Sequence, residues 1–249
     1  MRLTLTLLTM ILFAAGCSVE QAEQTPPAEA DRGGEESLYT TRRASRDGIG
    51  KVYLGREISH VMGHLGAGWL ERPAREREER TDLLISRLPL EPDDTIVDLG
   101  AGTGYFSFPM AARVPDGKVI AVDIQPEMLA IIEKRKASRG VTNVETRLGG
   151  VDTPNLEPGS VDLMLIVDAY HEFSHPREMG EAIAAALRPG GRLILIEYRA
   201  EDPSVPIKRL HKMSEAQAKL EMAAVGLNWV ATGDFLPQQH FLVFERPDV

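Results

Sequence analysis

The chain has 249 residues, 43% of them hydrophobic, and a formal net charge of -9. That length and apolar content suit one α/β domain with a sizeable core plus extra segments, and exclude a wholly disordered chain. The acidic balance argues against a general nucleic-acid surface, whose affinity rests on Lys and Arg against phosphate, and the sequence carries no zinc set or aromatic stacking motif of that kind.

The chain opens Met1-Arg2, followed by an uncharged run from Leu3 to Ala15 that leads into Gly16-Cys17. The run is short for a permanent membrane span and suits the apolar core of an export signal. Ala14-Ala15-Gly16-Cys17 resembles a bacterial lipobox, although Ala14 stands where the pattern prefers Leu or Val. The resemblance implies cleavage, a lipid on Cys17 and anchoring in the cell envelope facing the periplasm. The alternatives are a short uncleaved anchor or a misplaced start codon, the latter leaving a cytoplasmic protein. Cys17 is the only cysteine, so no internal disulfide is available. Residues 1–17 are therefore read as signal segment. Residues 18–48, which open on a stretch rich in Glu, Gln, Pro, Ala and Gly, are read as a flexible tether.

Residues 49–92 are read as an N-terminal helical cap. The pattern from Ile49 to Leu90 is helical, with a break at Gly66-Ala67-Gly68. The charge-dense run Arg72 to Arg80 suggests a solvated helix face laced with i,i+4 ion pairs. Leu83, Leu84, Ile85 and Leu88 form an apolar stripe that Pro89 and the turn at 91–94 close. His60 and His64, four apart, would share a helix face, but no second pair of ligands has convincing spacing, so no metal is expected.

Residues 93–249 alternate strand and helix. Strands are expected at Thr95–Leu99, Lys118–Asp123, Asn143–Leu148, Val161–Val167 and Arg192–Tyr198, and helices at Tyr105–Arg113, Pro126–Ser138, Pro176–Leu187 and Ser214–Val225. Arg188-Pro189-Gly190-Gly191 reads as a turn. Asn228–Thr232 and His240–Glu245 would close the chain as an antiparallel hairpin. Such alternation predicts an α/β fold, with a mostly parallel central sheet and helices on both faces.

The first strand runs into Asp98-Leu99-Gly100-Ala101-Gly102-Thr103-Gly104. Glycines let a backbone turn tightly and approach a ligand, and the helix that follows offers free N–H groups. A dinucleotide fingerprint would place its third glycine at position 105, which disfavours a nicotinamide oxidoreductase. Ala121-Val122-Asp123 ends the second strand, where a carboxylate can accept from both ribose hydroxyls. Gly149-Gly150-Val151-Asp152 follows the third strand, Asp168-Ala169-Tyr170-His171-Glu172-Phe173 the fourth, and Leu187-Arg188-Pro189-Gly190-Gly191 precedes the fifth.

Taken in order, these motifs resemble class I S-adenosylmethionine-dependent methyltransferases of the Rossmann-like fold, over roughly residues 94–245. The resemblance implies S-adenosylmethionine as cofactor. It implies a cofactor site built on Asp98, Gly100, Ala101, Gly102 and Gly104, with Asp123 on the ribose and Ile124 beside the adenine. Asp98 would lie near the methionine amino end, and Asp168, on the reaction side, would belong to the cofactor-binding set. Gly150 stands where the family often has an adenine-binding Asp, so Asp152 or a backbone carbonyl would have to serve. His171 is the candidate base for an O or N acceptor, and Glu172 would orient it or bind the acceptor. The cap and the basic group Lys208, Arg209, His211 and Lys212 would set acceptor specificity.

The expected function is methyl transfer to a small-molecule acceptor. The alternative is a non-catalytic binding or scaffold lipoprotein that kept the fold. Lipidated export favours the alternative, because the cofactor is made in the cytosol; the intact glycines and Asp123 favour the enzyme.

Overall fold

The structure, a computed structural model, describes residues 38–248. The signal segment, Cys17 and the tether up to residue 37 lie outside the described residues.

Seven strands form the main sheet in the order β6-β5-β4-β7-β8-β10-β9. They are β4 (Thr95–Leu99), β5 (Lys118–Asp123), β6 (Val144–Leu148), β7 (Val161–Val167), β8 (Leu187–Tyr198), β9 (Asn228–Gly233) and β10 (Gln239–Glu245). The first five run parallel. β10 is antiparallel to β8, and β9 is antiparallel to β10. This is the mostly parallel α/β sheet with a C-terminal antiparallel hairpin that the sequence predicts. β7 is apolar at almost every position because helices cover both sheet faces; Leu163, Met164, Leu165 and Ile166 are all buried.

Alternation along β4 sorts the two core layers. Val97 and Leu99 pack with Met179, Ile183 and Met222 of α6 (Pro176–Ala186) and α7 (Glu215–Ala224). Ile96 packs on the other side with Leu84 of α3 (Thr81–Arg87), Met110 of α4 (Ser107–Ala111) and Ile132 of α5 (Pro126–Arg139). Proline opens α5 and α6 at the first helical turn, where no N–H is needed, and Gly140 closes α5 at φ +64°. Ser214 caps α7 by accepting from the Gln217 N–H.

Sheet order reverses at β4 and β7, so the crevice beyond their carboxyl ends is where such a sheet takes a ligand. The glycine loop leaves β4 there, and Asp168 leaves β7 beside it.

Two elements differ from expectation. The run Arg188-Pro189-Gly190-Gly191 is no free turn but the start of β8. Gly190, at φ +71°, absorbs the bend, and the backbone stays paired through Gly190 N–H to Arg246 O and Arg246 N–H to Gly191 O, both 2.9 Å.

The expected all-helical cap is wrong in its first third. Residues 39–59 form a three-stranded antiparallel sheet of β1 (Tyr39–Thr41), β2 (Gly48–Tyr53) and β3 (Arg56–Ser59), and its first strand takes residues assigned to the tether. Tyr53 pairs directly with Arg56 across a two-residue turn, Leu54-Gly55, in which both φ angles are positive (45° and 89°). That is the twist a tight hairpin requires, and Leu in place of the usual Asn or Asp hides it in the sequence. Helix begins only after His64, in the short pieces α1 (Ala67–Leu70), α2 (Arg75–Glu79) and α3. His60 therefore lies in an extended stretch and His64 in a single 3-10 turn, so they share no helix face. The charged run is not all solvated either: Arg75 and Glu79 are buried against each other at 2.9 Å.

Candidate functional site

A cavity of about 590 Å³ opens at the carboxyl ends of β4, β5 and β7, under the segment 59–75. This is within the range of small-molecule sites, roughly 300–1,000 Å³. Its floor carries Gly100, Gly102, Asp123, Ile124 and Asp168, and its far end His171, Glu172 and His211.

The glycine loop is a tight cradle. A Cβ at Gly100 would meet Ala169 Cβ at 2.7 Å and one at Gly102 would meet Leu70 at 2.7 Å, and both residues have positive φ. Only glycine fits such positions without displacing the cap or the Asp168 loop. Ala101 and Gly104 shape this turn from behind and do not border the cavity. Asp123 accepts from Gly102 N–H at 2.8 Å and from Gln125 N–H at 2.9 Å, so both oxygens are fixed while the carboxylate still faces the cavity. Burial raises its pKa, and these hydrogen bonds oppose the rise.

Asp98 corrects an expectation. It points away from the cavity toward α4, where Ser107 Oγ donates to it at 2.5 Å. Burial pushes its pKa up to about 6. Its role is to hold the loop to the following helix rather than to meet a ligand. Asp152 is also displaced: it is exposed, folded back toward Gly150, and absent from the cavity wall, where Gly149, Gly150 and Val151 stand instead.

Asp168 sits at φ +49° with its carboxyl buried. Gln239 donates to Oδ2 at 2.7 Å, while Oδ1 has no partner among the described residues. Burial, reinforced by nearby Glu79 and Glu197, raises its pKa well above the usual range. Arg75, which sequence reasoning left on a solvated face, borders the same part of the cavity. It is held by Glu79 and by the Leu70 carbonyl at 2.9 Å. Glu79 also accepts from Tyr198 at 2.8 Å.

The far end is polar and densely tied. His171 Nδ1 lies 2.6 Å from Glu197 Oε2, both residues fully buried. Burial opposes the charged imidazole, but Glu197 and Glu172 outweigh it and the His171 pKa is raised. His171 Nε2 is 3.2 Å from His211 Nδ1. Glu172 Oε1 faces both rings, at 3.8 Å from His171 Nε2 and 3.5 Å from His211 Nδ1. Glu172 Oε2 accepts from Met62 N–H at 3.0 Å. Met62 O accepts in turn from Gln125 Nε2, also at 3.0 Å, so the chain crossing above the cavity is fastened at both ends.

β3 supports this end from behind. Arg56 donates to the His171 carbonyl at 3.1 Å and forms a two-bond ion pair with Glu221 at 2.7 and 2.8 Å. Ser59 donates to the same carbonyl at 3.3 Å. Of the basic group, Lys208 and His211 border the cavity; Lys208 is paired with Asp47 at 2.6 Å. The structure thus brings His211, read with the basic group, to His171 and Glu172. Glu197 was missed, although a lone acid inside the buried strand Leu193-Ile194-Leu195-Ile196-Glu197-Tyr198 is a signal in itself. Arg75 carried no signal, because nothing local separates it from its charged neighbours.

A family model described as a methyltransferase domain matches residues 90–239. An uncharacterized methyltransferase-like protein of Schizosaccharomyces pombe is 33% identical over 150 residues, 60% of this chain and 56% of that one. A demethylmenaquinone methyltransferase of Thermus thermophilus is 31% identical over 127 residues, 50% of this chain and 54% of that one. The chain therefore spans little more than half the length of these relatives. A solved S-adenosylmethionine-dependent methyltransferase from Aquifex aeolicus superposes with a TM-score of 0.70 at 20% identity, covering 75% of this chain and all of that one, a likeness of fold.

Proposed function

The chain belongs to the methyltransferase-domain family, and from that premise we propose that it transfers a methyl group from S-adenosylmethionine to a small molecule bearing an O–H or N–H nucleophile. The observation that carries the cofactor is the pairing of the glycine cradle with Asp123 at one end of a single cavity. Asp123 offers a fixed carboxylate to two ribose hydroxyls, with Ile124 beside it for the adenine. Asp168, with an unpartnered buried oxygen in a field of other acids, suits an ammonium group, and Arg75 suits a carboxylate; the amino-acid end of the cofactor has both. When bound, the cofactor supplies an electrophilic methyl group.

The residues do the rest. The protein needs to hold the acceptor in line with the methyl and keep water out, which the segment fastened through Met62 favours. His171, Glu172 and His211 meet the acceptor's heteroatom and favour its deprotonated form. Because the His171 Nε2 is shared with His211, the three act as a group rather than as a lone base. The cavity's size favours a small acceptor over a macromolecule.

The test is calorimetric titration of the full chain with S-adenosylmethionine and with NADH. Binding of the first alone supports the reading. Binding of NADH alone, or of neither by folded protein, overturns it.

The envelope anchor is proposed from sequence only, on residues outside those described. A lipid-sized mass on Cys17 and release from membranes by Cys17→Ala would support it; unmodified chain recovered in the cytosol would sink it.

A further inference from the structure

We propose that His171, Glu172 and His211 form a binding site for a divalent first-row transition cation, zinc by preference, with one coordination position open to the cavity. Three observations carry this.

The first is spacing. His171 Nε2, His211 Nδ1 and Glu172 Oε1 form a triangle with sides of 3.2, 3.5 and 3.8 Å. The point equidistant from three such corners, given by the product of the sides over four times the area, lies about 2.0 Å from each. That is the length of a zinc–imidazole or zinc–carboxylate bond, roughly 2.0–2.2 Å. The three ligand atoms lie close enough together to share one ion.

The second is what stands behind each ligand. A metal-bound imidazole usually gives its other N–H to a carboxylate, which fixes the tautomer and aims the free lone pair. His171 Nδ1 has that partner in Glu197, 2.6 Å away and wholly buried. Glu172 is fixed in the same manner, because Oε2 is occupied by Met62 N–H and Oε1 is left to face the triangle. Buried carboxylates without a catalytic or ligand role are uncommon unless paired with a cation. Here Arg56, a guanidinium that Glu197 influences, is taken up by Glu221 and by the His171 carbonyl.

The third is access. All three residues border the cavity. Three protein ligands and an open position are the pattern of a catalytic rather than a structural zinc site. The ion would hold the acceptor's heteroatom and lower its proton affinity, the proton passing to water. The expectation of no metal rested on His60 and His64 and on sequence spacing alone. The ligands come from two distant turns, 171–172 and 211, which spacing cannot reveal.

The role assigned to the ion rests on the methyl-transfer reading, whereas its binding does not. The experiment is therefore a direct titration. Full-length protein, with any affinity tag removed, is stripped with a chelator and titrated with zinc chloride by calorimetry, then with cobalt(II) by visible absorption. One equivalent of zinc is expected, with the intense visible bands of a low-coordinate cobalt site. His211→Ala, at a partly exposed position, is expected to weaken zinc by more than about 100-fold, beyond the roughly 10–100-fold that loss of an outer partner such as Glu197 brings. Glu172→Gln keeps an oxygen for Met62 and is expected to weaken zinc likewise. S-adenosylmethionine affinity of His211→Ala, measured on the same sample, should stay within about twofold, because His211 shares no hydrogen-bond partner with Asp123. No zinc uptake by the wild-type chain, or equal uptake by His211→Ala, overturns the metal site even if the cofactor binds. Zinc bound at this site without cofactor binding would leave the site standing and remove the methyl-transfer reading.

Discussion

The two ends of the cavity are built by different means. The cradle end comes from short, contiguous stretches at the carboxyl ends of neighbouring strands: Gly100 to Gly104 after β4, and Asp123 with Ile124 after β5. Its specificity is in backbone shape, and its Asp123 carboxylate is fixed by local N–H groups. The far end draws on β3, the turn at 170–172, β8 and the turn at 209–211, and it is held by buried charge: Arg56 with Glu221, and His171 with Glu197. Backbone-defined sites tolerate little change in sequence but need few partners. Charge-defined sites can alter their chemistry by one substitution, at the risk of leaving a buried ion unpaired.

That contrast breaks first where the charges are deepest. Glu221→Ala leaves the Arg56 guanidinium buried without its carboxylate, which typically costs roughly 3–5 kcal/mol. Urea unfolding should register a loss of that size, and the hydrogen bond from Arg56 to the His171 carbonyl should loosen with it. A loss below about 1 kcal/mol, the level of an exposed pair, would mean that this end is not charge-built after all.

Asp98 tests the other end. Its folded pKa of about 6 lies above the ordinary 3.8, so between those values the folded chain keeps a proton that the unfolded chain gives up. Stability from this group is therefore present at low pH and lost as pH rises from about 4 to about 6, with a total near 3 kcal/mol. Asp98→Asn keeps an acceptor for Ser107 and cannot ionise. The difference in unfolding free energy between variant and wild type should climb by about that amount across the window. A flat difference would place Asp98 in contact with water or ligand rather than behind the loop. Asp123→Ala tests the cavity wall of the same end. It should weaken S-adenosylmethionine by on the order of 100-fold, through lost ribose bonds and the unpaired Gly102 and Gln125 amides. Calorimetry with the purified variant measures this directly.

These two acids also mark how far the sequence could be read. Asp98 and Asp123 are equally visible as acids at strand ends, yet only Asp123 faces the cavity. Alternation puts Asp98 on the α4 side of the sheet, and the preceding apolar residues alone could not say which side would hold the ligand. The parallel strands were legible because β7 and β8 must be apolar on both faces, and their helices because proline and glycine punctuate them. The far end was half legible. His171 and Glu172 stand together in sequence, but the bond from Glu197 and the approach of His211 are products of tertiary packing. Asp152 was misplaced because Gly149-Gly150 lets the loop fold its side chain back outward, where Val151 takes the wall.

The largest misreading, a helix over residues 49–59, turns on one residue. Leu54 and Gly55 form a two-residue hairpin turn in which both φ angles are positive. Asn at the first of these positions is the commonest signal for such a turn, because its short polar side chain tolerates the left-handed region at less cost than leucine. Leu54 is 40% exposed, so its side chain contributes little burial to offset that strain. Leu54→Asn is therefore expected to stabilise the fold by up to about 1 kcal/mol, the size of the left-handed penalty. A small upward shift in the urea midpoint at unchanged slope would be its signature. Because β3 carries Arg56 and Ser59 to the back of His171, the same change should leave zinc affinity at the proposed site intact or slightly raise it by ordering that support. Destabilisation would mean instead that Leu54 is held by contacts worth more than its backbone strain, and that the sequence reading failed there for a reason of packing rather than of turn chemistry.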